Sequence, residues 1–192
     1  LSVFYNYLMS EDYAIGNPVA IVKKNCKYLV NQTGLRQVRR LSELQWDYLL
    51  NTATKMADEQ PVHERTLFIV ASLKSLKLRI SELAERPRWS PVMSHFHRDH
   101  EGNWWYRAFG KGGKERDVSI ANDFMYYLRR YRESRDLSPL PSPDDNEPLV
   151  HALSKSGGIG TRQLRVLVEK ATQATYDALL ADGFAEEANE LK

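Results

Sequence analysis

Two short segments of the chain carry side chains that could act on a phosphodiester. The first, residues 78–83, reads Leu-Arg-Ile-Ser-Glu-Leu and places Arg79 among apolar residues. The second, residues 110–118, is a glycine-rich turn that carries Lys111. A guanidinium can grip two phosphate oxygens at once, and a lysine ammonium can donate a proton to a departing sugar oxygen. The pair therefore predicts half of a site for phosphoryl transfer.

Each of these residues also has an ordinary structural interpretation. Arg79 could simply pair with a carboxylate such as Glu82, which is the commoner situation for an arginine on an apolar helix. Lys111 could be a soluble residue in the tight turn that its neighbouring glycines allow. The residue types alone leave these alternatives open.

The elements that must position the two residues are mostly helical. Residues 1–30 predict two helices, interrupted at Gly16-Asn17-Pro18. Ser42, with a glutamine three residues later, predicts a capping box at the start of the next helix. A further apolar run predicts a buried central helix that opens at Pro61. The helical run that carries Arg79 is expected to end at Pro87.

Beyond Pro91 the apolar period changes to two. Segments 92–96, 104–109 and 115–120 predict three short antiparallel strands. The helix that follows is expected to turn four arginines outward: Arg129, Arg130, Arg132 and Arg135. The predicted fold class is mainly α with a small three-stranded antiparallel β-sheet.

The two opening segments, in their order and spacing, resemble the tyrosine recombinase (phage integrase) family. Arg79 in its Leu-Arg-Ile-Ser-Glu-Leu segment resembles the first catalytic arginine of the family. Lys111 in Gly-Lys-Gly-Gly-Lys-Glu-Arg resembles the catalytic lysine on its β-hairpin. Residues 42–46, Ser-Glu-Leu-Gln-Trp, resemble the start of the catalytic domain. One departure is Leu76-Lys77, which stands where many members have Thr-Gly.

The resemblance implies a division of the chain into parts of two domains. Residues 1–30 would form the C-terminal part of a helical core-binding domain, residues 31–41 a linker, and residues 42–192 the N-terminal part of the catalytic domain. Both ends of the chain look cut. Nothing after Lys111 resembles the His-x-x-Arg box or the nucleophilic tyrosine of the family. We therefore expect an incomplete integrase that is inactive by itself.

The resemblance also implies an activity, site-specific recombination of DNA. A tyrosine attacks the scissile phosphate and leaves a 3′-phosphotyrosine, and no metal or nucleotide cofactor is needed. The implied partner is double-stranded DNA, on which the full-length protein would act as a homotetramer. The catalytic residues would be Arg79 and Lys111, which should approach one another across a positively charged surface. Contacts to the DNA backbone are expected from Lys77, Lys114, Arg116, Arg36, Arg39 and Arg40.

Bulk properties set wide limits on this interpretation. The net charge of +2 is too small to diagnose a nucleic-acid binder. Cys26 is the only cysteine, so an intrachain disulfide is impossible, as suits a reducing compartment. The sequence has no apolar run long enough to span a membrane. We expect a cytoplasmic protein, encoded by a bacterium or a prophage.

Two other classes of function remain as alternatives. The chain could be a DNA-binding or regulatory module without chemistry of its own. More remotely, it could be a zinc hydrolase, because His95-x-His97-x-Asp99-His100 spells the metal-binding motif of the metallo-β-lactamase fold. That fold needs later ligands, and only His151 follows among the histidines. We expect no zinc at this motif.

Overall fold

The computed structural model describes residues 1–25, 40–110, 114–153 and 157–191. Within these ranges the chain is mainly α-helical with one small three-stranded antiparallel sheet, so the predicted fold class is confirmed. The chain divides into two compact units, Leu1–Arg40 and Leu41–Lys192. None of the helices in the described ranges is both long enough and apolar enough to cross a lipid bilayer.

The first unit contains helices α1 (Ser2–Ser10) and α2 (Pro18–Asn25). Pro18 is the first residue of α2, as the sequence predicts. Asn17 joins the two helices, because its amide nitrogen donates to Asn6 Oδ1 at 2.7 Å and its side-chain oxygen accepts the Ala20 N–H at 3.1 Å. The remainder of the predicted core-binding segment and most of the linker, residues 26–39, lie outside the described residues.

The second unit opens with helix α3 (Glu43–Glu59), whose start is the predicted capping box. The Ser42 hydroxyl accepts the Gln45 N–H at 3.2 Å, and Gln45 Oε1 accepts the Ser42 N–H at 2.8 Å. A single 3-10 turn, Pro61–His63, leads into α4 (Glu64–Ser75). Helix α4 is buried on every side from residue 65 to residue 72, so it forms the centre of the unit.

The prediction that a helix carries Arg79 is wrong. Helix α4 ends at Ser75, and Lys77 follows with a φ of 50°, a left-handed conformation that no continuing helix can contain. Arg79 itself is extended, with φ −80° and ψ 149°, and stands immediately before the short helix α5 (Ile80–Leu83). Leu76 and Leu78 are buried in the segment that joins α4 to α5. Their burial gives the sequence a helix-like spacing of apolar residues although no helix forms there.

The sheet contains β1 (Phe96–Arg98), β2 (Trp104–Phe109) and β3 (Glu115–Ser119), in that order and antiparallel. Phe96 pairs with Tyr106, and Tyr106 pairs with Val118. The predicted first strand, 92–96, is wrong except at its last residue. Residues 93–95 form a 3-10 turn, because the Val92 N–H donates to His95 Nδ1 and the His95 N–H donates to the Val92 carbonyl.

Three helices complete the described chain: α6 (Asn122–Glu133), α7 (Thr161–Ala181) and α8 (Ala185–Glu190). Gly183 has a φ of 88° and ends α7, as expected for a glycine after a helix C-terminus. Glu85, which follows α5, pairs with the segment just before α7, since the Glu85 N–H donates to the Ile159 carbonyl at 2.9 Å. The Gly158 N–H donates to Glu85 Oε2 at 2.7 Å, which fixes the end of α5 against α7.

The prediction that the four arginines in and just after α6 all face solvent is wrong. Arg129 is exposed, but Arg132 is 2% exposed and contacts Asp145 at 2.7 Å. Arg130 contacts Glu64 at 2.7 Å, and Arg135 is paired as well. Carboxylates from distant parts of the chain allow these guanidinium groups to be covered.

Candidate functional site

The candidate site is organised around the carboxylate of Glu82, which is 1% exposed. Glu82 Oε2 accepts the backbone N–H of Arg79 at 2.7 Å and the Arg116 Nη2 donor at 2.9 Å. Glu82 Oε1 accepts from Arg79 Nη1 at 3.0 Å. One buried carboxylate therefore holds two arginines, one from the start of α5 and one from β3.

Local structure explains why Glu82 takes this position. Arg79 is the N-cap of α5, and Glu82 is the third residue of the helix, from which a side chain can reach back to the N-cap N–H. The Trp89 indole N–H donates to the Glu82 carbonyl at 2.9 Å and fixes the far end of the same turn. Arg79 is thus fixed through both its backbone and its side chain.

The charge at the site is positive. Burial by itself raises the pKa of Glu82, but the hydrogen bonds from the Arg79 backbone and the Arg116 guanidinium outweigh it and lower the pKa below its ordinary value. Glu82 is therefore ionised at neutral pH. Its one negative charge faces two positive charges. The side chain of Arg79 is 66% exposed and that of Arg116 is 42% exposed. The exposed guanidinium surface is available to an anion.

The base of the glycine hairpin lies against this pair. The Gly110 N–H donates to the Lys114 carbonyl at 2.8 Å, which closes the described part of the turn. A side-chain carbon added at Gly110 would lie 3.5 Å from Glu82 Oε1 and 3.9 Å from Arg79 Nη1. Lys111 lies outside the described residues, so its predicted approach to Arg79 stays a prediction. Its covalent neighbour Gly110 is in contact distance of the site.

The predicted DNA-binding residues fall in several places. Lys77 and Lys114 are exposed, and the Lys77 carbonyl accepts from Arg116 Nη2 at 3.5 Å, but of these three residues Arg116 is the one that contacts Glu82. Arg40 is exposed and belongs to the first unit. The other two predicted contacts, Arg36 and Arg39, lie outside the described residues.

The residues of the proposed zinc motif have other partners. Asp99 Oδ2 accepts the Trp105 indole N–H at 2.8 Å, and Asp99 Oδ1 accepts the backbone N–H groups of Glu101 and Asn103. These bonds, the Trp105 bond foremost, hold the pKa of Asp99 at about 2. Asp99 therefore organises the turn between β1 and β2.

The histidines of that motif lie in different surroundings. The ring of His95 stacks on Trp89 at 4.8 Å between centroids, and burial together with the charge of Arg107 lowers the pKa of His95. His97 Nε2 lies 3.9 Å from Asp117 Oδ2. Across the part of the chain that the structure describes, no three His, Cys, Asp or Glu side chains are grouped as a metal site requires. The zinc alternative gains no support from this geometry.

Two residues of the site were not identified as such from the sequence. Arg116 is predicted only as a contact to the DNA backbone, and Trp89 is not predicted at all. The Arg79–Glu82 spacing of three residues is a local signal for their pairing. No local signal shows that Arg116 reaches Glu82, which requires the pairing of β2 with β3.

The arrangement is suited to holding a phosphate group at a surface. Two fixed guanidinium groups can donate to several oxygens, and a fixed donor stabilises developing negative charge without reorganising. Models of known protein families give no match to the chain, and curated proteins give no significant match.

Proposed function

We propose that this chain is part of a site-specific DNA recombinase, which breaks and rejoins double-stranded DNA through a 3′-phosphotyrosine intermediate. The observation that carries the proposal is the fixation of Arg79 and Arg116 by buried Glu82, in contact with the base of the glycine hairpin. The hairpin bears Lys111, the residue that the resemblance to tyrosine recombinases makes the general acid.

The arginine pair fits a phosphodiester better than it fits a structural ion pair alone. A pair with a purely structural role needs one guanidinium for one carboxylate, whereas Glu82 holds two. The excess positive charge is directed outward, because both guanidinium groups are partly exposed while the carboxylate is buried. A bound phosphodiester would neutralise that excess.

The proposed reaction needs no oxidant or cofactor. The oxygen of a deprotonated tyrosine attacks the scissile phosphorus, the bond from phosphorus to the 5′ oxygen breaks, and that oxygen takes a proton from Lys111. Arg79 donates to the non-bridging oxygens as they gain charge. The energy of the broken bond is kept in the phosphotyrosine link, so the reverse attack by a 5′-hydroxyl rejoins the strand. In this proposal the tyrosine comes from outside these 192 residues, and four protomers act on two duplexes.

Duplex binding by the 192-residue chain tests the first step. In fluorescence anisotropy with a labelled duplex, the association constant should fall steeply with salt, because each phosphate contact releases about 0.9 counterions. Arg79→Ala should weaken binding and reduce the logarithmic salt slope by about 1. Arg79→Lys should keep the slope but lose affinity, since it keeps the charge and loses the two-pronged donor.

Lys55 provides the matched control, because it is an exposed cation on α3. Lys55→Ala should leave both the affinity and the slope unchanged. Equal losses in Arg79→Ala and Lys55→Ala would show that binding depends on overall charge and would contradict a phosphate grip at Arg79. Binding that ignores salt would contradict the proposal as a whole.

The role of Lys111 is tested in the complete gene product. Lys111→Ala should slow strand cleavage mainly for the ordinary 5′-oxygen leaving group. A duplex with a bridging 5′-sulfur at the scissile position should restore the rate, since a thiolate leaves without protonation. If the sulfur substrate gave no rescue, Lys111 would position phosphate, or the acid would be Lys114.

A DNA-binding module without chemistry is the second candidate. The same observation favours it, because Arg79 and Arg116 can hold a phosphate whether or not a reaction follows. The two candidates differ only in the covalent step. The gene sequence beyond Lys192 separates them, since the recombinase predicts a His-x-x-Arg box followed by a tyrosine. We place either protein in the cytoplasm of a bacterial host.

A further inference from the structure

A second group of cations surrounds Tyr131, at the packing of α4 against α6. We call Arg65, Tyr131, Arg135 and His151 the Tyr131 cluster. The Tyr131 ring stacks on Phe68 at 4.4 Å between centroids. The Tyr131 hydroxyl lies 2.8 Å from His151 Nδ1. None of these residues takes part in the Arg79 site.

Arg65 is the most unusual member of the Tyr131 cluster. It is one turn before Phe68, on which the Tyr131 ring stacks, and its charge acts on the Tyr131 hydroxyl. Arg65 is only 7% exposed, and its Nε and Nη1 atoms are closed to solvent without a hydrogen-bond partner among the described residues. Nor does any carboxylate in the described ranges form an ion pair with it. A buried charge in this state is strongly destabilising, so a missing partner is the natural explanation.

Arg135 brings a second incompletely paired guanidinium. Its Nη2 donates to Glu147 Oε2 at 2.6 Å, and its Cζ lies 5.7 Å from the centroid of the Tyr131 ring. Its Nη1 is closed to solvent and has no partner within the described chain. The two arginines and Glu147 together carry two positive charges and one negative charge. One positive charge is therefore uncompensated.

His151 adds a neutral donor to the same place. Its backbone N–H donates to the Tyr131 hydroxyl oxygen at 3.2 Å, and its Nδ1 lies 2.8 Å from that oxygen. Burial lowers the pKa of His151, and the charges of Arg135 and Arg65 lower it further, so the ring is neutral at pH 7. In the tautomer whose Nδ1 accepts the Tyr131 hydroxyl proton, the ring proton is on Nε2, which is a hydrogen-bond donor.

We propose that the Tyr131 cluster is a binding site for a tetrahedral oxyanion, phosphate or sulfate, held between Arg65 and Arg135. Such an anion supplies several acceptor oxygens in different directions, as the unpaired Arg65 and Arg135 N–H groups require. It also neutralises the excess positive charge. Arg135 keeps 15% of its side chain exposed, so its movement is the expected route of entry.

Calorimetric titration of the 192-residue chain with sodium sulfate tests the site, with ionic strength held constant by sodium chloride. Apart from weak binding at the exposed Arg79 and Arg116 pair, the native chain should bind one sulfate saturably, with a dissociation constant on the order of 1 mM or tighter. Inorganic phosphate should bind similarly, and acetate should bind far more weakly. Sulfate also stabilises proteins by exclusion from their surface, but that effect does not saturate.

Three variants decide whether the Tyr131 cluster is responsible. Arg65→Met should abolish the saturable binding, Arg135→Gln should weaken it about tenfold or more, and Arg129→Gln should leave it unchanged, because Arg129 is an exposed arginine of α6. If Arg65→Met does not fold, as judged by circular dichroism, Arg135→Gln decides. Absence of saturable binding in the native chain, equal binding of acetate, or full binding by Arg135→Gln would overturn the proposal.

The source of the anion is resolved by duplex binding at equal salt. If the Tyr131 cluster takes a backbone phosphate of DNA, Arg135→Gln also weakens duplex binding. If the cluster takes a free anion, Arg135→Gln leaves duplex binding unchanged. The result is independent of the Arg79 site, whose failure in the duplex assay would leave sulfate binding intact.

Discussion

Replacement of Glu82 by glutamine tests the geometry of the Arg79 site. Glutamine has nearly the same shape, so packing is kept, but one amide oxygen replaces two charged acceptors. The carboxylate accepts three hydrogen bonds, at 2.7, 2.9 and 3.0 Å. The amide NH₂ group would face at least one guanidinium donor. Glu82→Gln therefore removes one charge-assisted bond outright and weakens the others.

The expected cost follows from the environment of each partner. A hydrogen bond to a charged group contributes about 1.5–3 kcal/mol. Loss of a buried ion-pair partner can cost about 3–5 kcal/mol, but here the stranded arginines are partly exposed and can be hydrated. We expect Glu82→Gln to lower the free energy of unfolding by about 2–3 kcal/mol. In a protein of this size the melting temperature should fall by about 4–12 °C.

The pH dependence of stability makes the test specific. The pKa of Glu82 is lowered in the folded protein, so the unfolded state binds protons more readily as the pH falls. The stabilisation from the charge is complete above the ordinary glutamate pKa of 4.5 and is lost as the pH falls through the lower folded pKa. The stability gap between the native protein and Glu82→Gln should therefore be constant near neutral pH and narrow below about pH 4.5.

Thermal unfolding followed by circular dichroism measures both quantities. Glu169→Gln is the matched control, since Glu169 is exposed on α7, and it should change stability by less than about 0.5 kcal/mol. A Glu82→Gln protein as stable as the control at pH 7, or a gap that does not narrow in acid, would refute the assignment of Glu82 as the anchor of both arginines.

Two further predictions concern the framework of the site. Lys77→Gly should raise the free energy of unfolding, measured in urea, by about 0.5–1 kcal/mol, because glycine adopts the left-handed conformation at φ 50° without strain. The greater entropy of the unfolded glycine chain offsets only part of this gain. A loss of stability would mean that the lysine side chain makes a necessary contact. Asp145→Asn should lower the free energy of unfolding in the same assay by about 3–5 kcal/mol, because the buried Arg132 guanidinium loses the carboxylate that lies 2.7 Å from it. An unchanged urea midpoint would contradict this ion pair.

Local rules were enough to predict the elements whose signals lie within a few residues. The capping box of Ser42 and Gln45 and the interruption of the first two helices at Pro18 both depend on hydrogen bonds or dihedral angles of the same segment. Strand β2 was predicted for the same reason, since the alternation of buried and exposed residues from Tyr106 to Ala108 is a local property.

Predictions failed where distant residues decide the structure. The connection at Lys77 is apolar on both sides because Leu76 and Leu78 are buried against other elements, and this burial produces a helical pattern without a helix. Arg132 was expected at the surface because its charge is normally solvated, but Asp145 compensates it in the interior. Neither fact can be read from the spacing of residues in one segment.

The candidate site shows the same division. The Arg79–Glu82 pair follows from a spacing of three residues, and the resemblance to tyrosine recombinases singled out Arg79. The contribution of Arg116 depends on the register of β2 against β3, in which Arg116 pairs with Ala108. Only the folded chain shows that the carboxylate has two partners and that the hairpin base lies beside them.

Trapping of the covalent intermediate tests directly whether the protein is a recombinase. The complete gene product would be incubated with duplexes carrying its target sequence, identified by selection, and a nick that lets the released 5′ end diffuse away. If the chain belongs to a recombinase, a protein–DNA adduct forms that resists denaturation, contains 3′-phosphotyrosine and is lost in Arg79→Ala. Tight binding without any adduct, or an adduct that forms equally well in Arg79→Ala, would contradict the proposal.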